Sequence, residues 1–489
     1  MKGLDLFELV QNLSKTEKRA FKLSAVYQKN ESLVFILFDH LCKLKENIHL
    51  LECKIKNEKL LKKLPRIKKD LYDRLLDFLA SYHEENLIEA KVYKQIRIAK
   101  ILLKKDLYKQ AWKQIIKAKK KAQFYELYNH LLDALLVQRE IICQAEQPNK
   151  RIEKRSESNA EINEALVRQQ KLFEYEQLIG ELVTTIRENG ISKNPKEIIA
   201  YKKALEELPP LKYKGYRFSS QYEYIRSIYF YLIGDIHNAY LCEKCLVEIG
   251  YEYMHFIKID SDRHIMLLFN VINSGNDNNL LEESSIYLDK LELFLQSCSS
   301  SLQRKYLPSY WDIQLFYLNK QGEYKKSMKL LVDIEKKLPI YQEMAGKKSS
   351  FFNIIGNNII ATCLFAQNNK KALDWINKIL NEKKGTLRQD YYINIRFLEC
   401  IVLIENDLSW LVEAKLRSLR SFLNKNNKLF SLEMWLLSFL RRLICNADSR
   451  KKQKELYKNA LVELKEHEHN YMLHIFNYIE WIRIVLKNE

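Results

Sequence analysis

Two short clusters in the sequence contain side chains that could bind a metal or carry redox chemistry. Cys242 and Cys245 form a C-x-x-C pair, the only close pair among nine cysteines. A structural zinc site needs two more ligands at comparable spacing, and none follows. Residues 466–469 read E-H-E-H, but on a helix His467 and His469 point about 200° apart, a poor geometry for one shared ion. We therefore expect packing cysteines and a polar turn.

Motifs for nucleotide binding and acyl transfer are missing from the sequence. A phosphate-binding loop needs clustered glycines so that backbone N–H groups can approach the phosphate, and the eleven glycines here are isolated. The G-x-S-x-G turn of serine hydrolases does not occur either. No carboxylate pair stands out from surface ion pairs. The sequence therefore predicts no catalytic residue, no metal and no cofactor, and a non-enzymatic protein.

Lysines mark a candidate surface for an anionic partner. Residues 91–121 hold twelve Lys and Arg and one acid, Asp106. Side chains four residues apart share one face of a helix. The lysines at that spacing are Lys109, Lys113, Lys117 and Lys121. Such a stripe could contact phosphates without reading bases, or it could be a solvated outer face.

A second basic stretch precedes the stripe. Residues 54–69 hold eight Lys and Arg and the single acid Glu58, and their candidate phosphate contacts are Lys62, Lys63 and Arg66. Residues 1–150 carry 31 Lys and Arg against 19 Asp and Glu, a balance of +12 within a total of +19. A basic surface suits nucleic acid, an anionic membrane surface or an acidic protein, and it also keeps helices soluble.

Helices must position all of these side chains. The 489 residues include only 11 Gly and 7 Pro, too few for the turns of an all-β or α/β chain, and 47% are hydrophobic. The chain is also longer than one core usually holds. No window of eighteen apolar residues is free of charge, so we expect no membrane insertion. Scattered cysteines and acids near Met1 predict a cytoplasmic protein.

The clearest structural pattern is a helical hairpin between Trp311 and Pro339. Gly322 supplies the turn, Tyr324 begins the apolar face of the second helix, and small Ser327 lets the two backbones approach. Pro339 is predicted to end the second helix because proline lacks the backbone N–H. A hairpin of this size cannot cover its own apolar face, so it must stack on a neighbour.

This hairpin resembles a tetratricopeptide repeat. The residues closest to that family's pattern are Trp311, Gly322, Tyr324 and Pro339. Leu318 stands where the family usually has tyrosine, and Ser327 where it has alanine. Further hairpins are predicted with turns at 234–235, 368–369 and 406–407. The small residues predicted where the two helices of a hairpin cross are 111, after a turn near residue 106, then 239, 327 and 372. They share no fixed period, so the number of repeats stays open.

The N-terminal region carries a second resemblance. Residues 6–22 (L-F-E-L-V followed by L-S-K-T-E-K-R-A-F-K) and residues 70–83 resemble segments of a family of uncharacterised bacterial tetratricopeptide-like proteins. Ala20 stands where those proteins often have an aromatic residue. Ser14 and Glu17 form a predicted capping box. The resemblance implies an all-helical fold and no settled activity.

We therefore expect an all-α protein whose main part is an α-solenoid of degenerate hairpins similar to tetratricopeptide repeats. Its predicted segments are a helical N-terminal domain (1–85), basic helical hairpins (86–145), a polar linker or exposed helix start (146–164) and the repeat array (165–489).

The expected function is a scaffold that binds a protein or peptide in the concave groove of the array. Aromatic residues within 222–231 and 471–481 could line this groove or belong to the core. The alternative is a nucleic-acid-associated regulatory protein that contacts phosphates through its basic N-terminal region.

Overall fold

A computed structural model describes most of the chain. The described residues are 3–23, 33–43, 61, 63–84, 87–145, 148–189, 195–208, 214–345, 351–381, 389–426, 428–467, 473 and 475–488. Within these ranges the protein has 23 α-helices and no β-strand, which confirms the all-α prediction. Of the helices described, none is both long enough and apolar enough to cross a membrane. The chain divides into two compact units, Met1–Glu176 (unit 1) and Gln177–Glu489 (unit 2).

Among its described residues, unit 1 contains seven helices and most of an eighth. They are α1 (Gly3–Asn12), α2 (Lys15–Leu23), α3 (Leu33–Lys43), α4 (Leu64–Glu84), α5 (Ile88–Leu103), α6 (Tyr108–Phe124), α7 (Tyr128–Ala145) and α8 (Pro148–Asn189). The first four helices enclose a core around Phe21, Phe38 and Leu71, all fully buried. The helices α5, α6 and α7 pack on one another in succession.

The predicted capping box begins α2. The backbone N–H of Ser14 donates to Glu17 Oε2 at 2.7 Å, and the N–H of Glu17 donates to Ser14 Oγ at 3.1 Å. The two bonds satisfy donors that a helix start otherwise leaves unpaired. His83 of α4 lies 2.8 Å from the Glu17 carboxylate and ties this cap to the fourth helix.

The polar segment predicted as a linker or exposed helix start belongs to a helix. From Pro148 onward the residues expected there form the beginning of α8, which continues unbroken to Asn189. Buried Ile162 and Ala165 give this polar stretch an apolar contact face. The division between the two units falls after Glu176, inside the helix and beyond the predicted boundary at 164.

Unit 2 contains the rest of α8 and fifteen further helices among its described residues. They are α9 (Pro195–Glu207), α10 (Tyr216–Leu232), α11 (Ile236–Glu252), α12 (Met254–Ile259), α13 (Ser261–Asp277), α14 (Leu281–Ser297), α15 (Ser300–Lys320), α16 (Tyr324–Ala345), α17 (Phe351–Phe365), α18 (Asn369–Leu380), α19 (Gln389–Glu405), α20 (Val412–Lys425), α21 (Ser431–Cys445), α22 (Arg450–Glu463) and α23 (Tyr478–Asn488). The predicted turns at 234–235, 368–369 and 406–407 separate helices as expected.

One turn geometry recurs through unit 2. A residue with positive φ follows α10, α13, α15, α17 and α19, and these residues are Gly234, Asn279, Gly322, Gln367 and Asp407. They are 45, 43, 45 and 40 residues apart. At Gly322, its own N–H donates to Asn319 O at 3.1 Å and the next N–H donates to Leu318 O at 3.0 Å. The same pair of bonds closes each of the other four turns, so every first helix ends in the same way.

Small side chains follow these turns at a constant distance. Ala239, Ser284, Ser327 and Ala372 each lie five residues after a positive-φ residue and are at most 2% exposed. Ser284 is missing from the crossing residues predicted from the sequence. With it, the spacings of the four are 45, 43 and 45 residues.

The first helices of successive hairpins also pack on one another, α13 on α15, α15 on α17, α17 on α19 and α19 on α21. Buried polar side chains join two of these pairs. Asn319 Nδ2 donates to Thr362 Oγ1 at 2.9 Å, and Asn394 Nδ2 donates to Asn357 Oδ1 at 2.9 Å. Because a buried amide without a partner is costly, these bonds fix the alignment of neighbouring hairpins.

The prediction that Pro339 ends its helix is wrong. The helix α16 continues through Pro339 to Ala345. Leu331, Ile334 and Leu338 are all buried in the core on the preceding turns. Their packing holds α16 on its neighbours and outweighs the one backbone bond that proline removes.

Candidate functional site

The predicted lysine stripe lies on the outer face of α6. Lys109, Lys113 and Lys117 are exposed and Lys121 is half-buried, while the opposite face buries alanine and isoleucine side chains. Within the part of the chain that the structure describes, none of the four forms an ion pair with a carboxylate. The stripe is therefore an open row of cations on one helix.

Lys119 of the same helix does not belong to this row. Its ammonium group lies 2.5 Å from the Glu161 carboxylate of α8, and its side chain is only 13% exposed. On α5, Arg97, Tyr93 and Ile101 are exposed, and exposed Lys104 follows directly after the helix. The surface of unit 1 thus mixes basic and apolar side chains on α5 and carries the lysine stripe on α6.

The second basic stretch is only partly described. Lys63 and Arg66 are exposed at the start of α4, and Lys62 lies outside the described residues. These two side chains therefore stand on a different helix from the stripe on α6.

The cysteine pair lies on a helix, and the histidine cluster is only partly described. Cys242 of α11 is buried, and burial raises the pKa of its thiol to about 12. A protonated thiol is neither a good nucleophile nor a metal ligand. Cys245 is half-buried, and burial also raises its pKa. Leu464–His467 forms a short 3₁₀ turn, and His469 lies outside the described residues.

Of the four residues that resemble the tetratricopeptide pattern, three serve the packing, the turn or the contacts of the hairpin. Trp311 is buried in the core, and Gly322 has a φ of +75° at the turn. Tyr324 donates its hydroxyl to the Glu480 carboxylate at 2.8 Å and so connects α16 to α23. Pro339 is exposed and lines a groove. The aromatic residues Phe476, Tyr478 and Trp481 near the C-terminus are buried.

The groove that Pro339 lines lies between α16 and α18, the second helices of two successive hairpins. Its volume is about 580 Å³. We call it the Trp375 groove, and its lining residues are Glu335, Leu338, Pro339, Asn368, Lys370, Lys371, Asp374, Trp375 and Lys378. Leucine, proline and tryptophan are bordered by six polar or charged side chains, so the groove is lined mainly by polar residues and has a small apolar part.

Glu335 holds one wall of the Trp375 groove in place. Trp375 Nε1 donates to Glu335 Oε1 at 3.1 Å, and Lys371 Nζ lies 2.7 Å from Glu335 Oε2. Lys378 lies over the Trp375 ring, 4.4 Å from its centroid. These contacts satisfy the indole N–H and orient two lysines, so the wall is rigid before any partner binds.

Two other side chains at the Trp375 groove remain available to a partner. Lys370 and Asp374 are exposed and form no ion pair with any described residue. The groove therefore offers an exposed cation and an exposed anion beside its apolar residues.

The sequence contained part of this site. A turn at 368–369 was predicted from the sequence, but Glu335 carried no signal of its own. Its partners stand 36 and 40 residues later, and only the packing of α16 beside α18 brings them together. Glutamates in lysine-rich helices are common, so no local pattern could have distinguished this one.

Comparison with known proteins finds no relative. No family model, no curated protein and no solved structure matches this chain. What the protein does is therefore inferred from its own helices, grooves and charges.

Proposed function

We propose that this protein is a non-enzymatic scaffold that binds a segment of another protein or a peptide. In this proposal unit 2 is an α-solenoid of degenerate hairpins similar to tetratricopeptide repeats. The recurring turn at 40 to 45 residues and the contacts between successive first helices support it. Arrays of this kind commonly bind partners along an extended surface.

The observation that carries the proposal is the Trp375 groove. Exposed Pro339 and the edges of the nearly buried Leu338 and Trp375 give the groove a narrow apolar floor for a side chain of the partner. Lys370 can donate to a partner carboxylate, and Asp374 can accept from a partner N–H group. A bound segment needs both kinds of contact, because apolar burial supplies affinity and hydrogen bonds fix its register.

The partner segment would lie along second helices. On the first helices α15, α17 and α19, the amides of Asn319, Asn357 and Asn394 are buried and already hydrogen-bonded to one another's helices. They are structural side chains and cannot also serve a partner. The concave groove predicted from the sequence is therefore placed, in this proposal, between α16 and α18.

A selection from a displayed library of random peptides tests the proposal with the full chain. Peptides that bind the wild type should lose at least about tenfold in affinity for the K370E/K378E variant. The control is K325E/K329E, which reverses two exposed lysines of α16 outside the groove. Circular dichroism should show that both variants keep the helical content of the wild type.

Two results would remove the support for a scaffold. One is a selection that enriches no peptide. The other is a selected peptide whose affinity falls equally for K370E/K378E and for K325E/K329E, because that result would indicate a general charge effect.

A second candidate function, contact with nucleic-acid phosphates, is favoured by the lysine stripe. The stripe is open and without carboxylate partners among the described residues. Lysines at this spacing could follow a phosphate backbone without reading sequence. This function would use unit 1 and is independent of the Trp375 groove.

A further inference from the structure

A second groove in unit 2 has a different chemical character. It runs along one face of α21 beside α20 and has a volume of about 460 Å³. Three of the residues that line it are Arg420, Arg441 and Arg442, and no carboxylate is among its lining residues. We call it the arginine groove. Its volume falls within the range of small-molecule sites, about 300–1,000 Å³.

The three guanidinium groups are only partly neutralised. Arg441 lies 3.4 Å from Glu413 and Arg442 lies 3.1 Å from Glu463. Arg420 is exposed and forms no ion pair with any described residue. The Nε atoms of Arg441 and Arg442 are buried and have no hydrogen-bond partner among the described residues, but the two side chains are 33% and 41% exposed, so a ligand would meet their outer Nη groups. Since each guanidinium has five N–H donors, most of the donors at this groove are unused.

Apolar side chains occupy the other part of the arginine groove. Met434 and Leu437 lie on α21 one to two turns before Arg441, and Leu429 precedes the helix. Met434 is 52% exposed although it stands on an otherwise well-packed helix. The groove is therefore cationic towards the C-terminal end of α21 and apolar towards its beginning.

We propose that the arginine groove binds a small organic anion with an apolar tail. Its phosphoryl or carboxylate group lies against Arg420 and the accessible Nη groups of Arg441 and Arg442, because guanidinium groups match both anions in charge and geometry. Its apolar part covers Met434 and Leu437. This site is separate from the Trp375 groove and does not depend on the scaffold function.

Four simple probes separate the contributions of charge and apolar contact. Isothermal titration calorimetry of the full chain would use octyl phosphate, octanoate, octanol and inorganic phosphate. We expect octyl phosphate or octanoate to bind at least about tenfold more tightly than octanol and inorganic phosphate. The stronger of the two shows whether the natural ligand carries a phosphoryl group or a carboxylate.

Variants locate the binding. Arg420→Ala removes the one arginine without an ion pair and should weaken binding of the preferred probe by at least about tenfold. Met434→Gln, which adds polarity without charge, should weaken it through the apolar part. Arg450→Ala is the matched control, since Arg450 is an exposed arginine of α22 outside the groove and forms no ion pair with a described residue. It should leave affinity unchanged.

The proposal is overturned if neither amphipathic anion binds more tightly than octanol. It is also overturned if Arg420→Ala and Arg450→Ala, both folded by circular dichroism, bind the preferred probe equally well. In either case the arginines serve only the ion pairs with Glu413 and Glu463 and the end of α21.

Discussion

The indole N–H of Trp375 donates to the carboxylate of Glu335 at 3.1 Å, across two helices that belong to different hairpins. This bond joins residues 40 positions apart and sets one wall of the groove between α16 and α18. Lys371 lies 2.7 Å from the same carboxylate. This ion pair both neutralises the charge of Glu335 and fixes the orientation of its side chain. The groove is therefore shaped by packing between hairpins.

The approach of α13 to α14 can be tested at one glycine. A Cβ atom at Gly275 would lie 2.6 Å from Ser284 Oγ and 3.3 Å from the Tyr240 ring. We expect Gly275→Ala to lower the free energy of unfolding by about 1–3 kcal/mol, because both neighbours are buried and cannot move away. Urea unfolding followed by circular dichroism measures this change.

Gly180→Ala is the control for that substitution. A Cβ at Gly180, in the middle of α8, would meet no heavy atom within 4 Å. Alanine is the better helix former, so this variant should gain about 0.5–1 kcal/mol. If both variants changed stability in the same direction, the close packing of α13 and α14 would be contradicted.

Pro339 offers a second test of stability. Pro339→Ala supplies the backbone N–H that the carbonyl of Glu335 lacks in α16. An interior proline costs a helix about 3 kcal/mol, but proline also restricts the unfolded chain and so stabilises the folded state by up to about 1 kcal/mol. We therefore expect the free energy of unfolding to rise by roughly 1–2 kcal/mol. The measurement is again urea unfolding.

Pro195→Ala is the matched control, because Pro195 is the exposed first residue of α9, where proline is well tolerated. It should not gain stability. A loss of stability in Pro339→Ala would contradict a continuous helix through residue 339.

Asp312 should make stability depend on pH. It lies on α15, accepts a hydrogen bond from Asn358 Nδ2 at 2.8 Å, and burial raises the pKa of its carboxyl to about 7. In the unfolded chain an aspartate has a pKa of about 3.9. The folded state therefore binds more protons between these values, so this contribution to stability is full below pH 4 or so and is lost as pH rises through about 7.

Asp312→Asn removes this titration and keeps a hydrogen-bonding group. We expect the variant to match the wild type near pH 4 and to exceed its stability above about pH 8 by up to about 4 kcal/mol. Glu243 has a pKa that burial also raises to about 7, and its contribution remains in both proteins. Asp133→Asn, at an exposed position of α7, is the control. Equal stability of wild type and Asp312→Asn at high pH would contradict the buried state of this carboxyl.

The lysine stripe can be tested by salt. If four lysines contact phosphates, the affinity of the full chain for a generic DNA or RNA duplex should fall about 100-fold between roughly 50 and 200 mM salt. The variant K109E/K113E/K117E should abolish this binding, whereas K451E/K452E/K458E, which reverses three lysines of α22 in unit 2, should retain it. No binding at low salt, or equal loss in both variants, would remove nucleic acid as a partner.

Local patterns were sufficient to predict the helices and several turns. Gly322 and Asn368 mark turns because their types suit positive φ or a helix cap, and such preferences act over a few residues. Ser284 escaped prediction because its turn residue is Asn279, which tolerates positive φ less obviously than glycine. The 40- to 45-residue recurrence of the turns became visible only from the backbone.

Tertiary packing decided what the sequence could not. Pro339 was predicted to end a helix from a local rule, but buried Leu338 and Ile334 hold α16 on its neighbours. The Trp375 groove lies between helices of two different hairpins. The arginine groove lies between α20 and α21, on either side of the loop that joins them. Residues such as Glu335 and Arg420 therefore carry no signal until the helices that bear them are side by side.

Hydrogen–deuterium exchange of the full chain with and without a selected peptide tests the proposed function most directly. The account predicts slower amide exchange in residues 335–341 of α16 and in α18, with no change in α6. Slower exchange elsewhere, with both groove helices unaffected by a bound peptide, would contradict it.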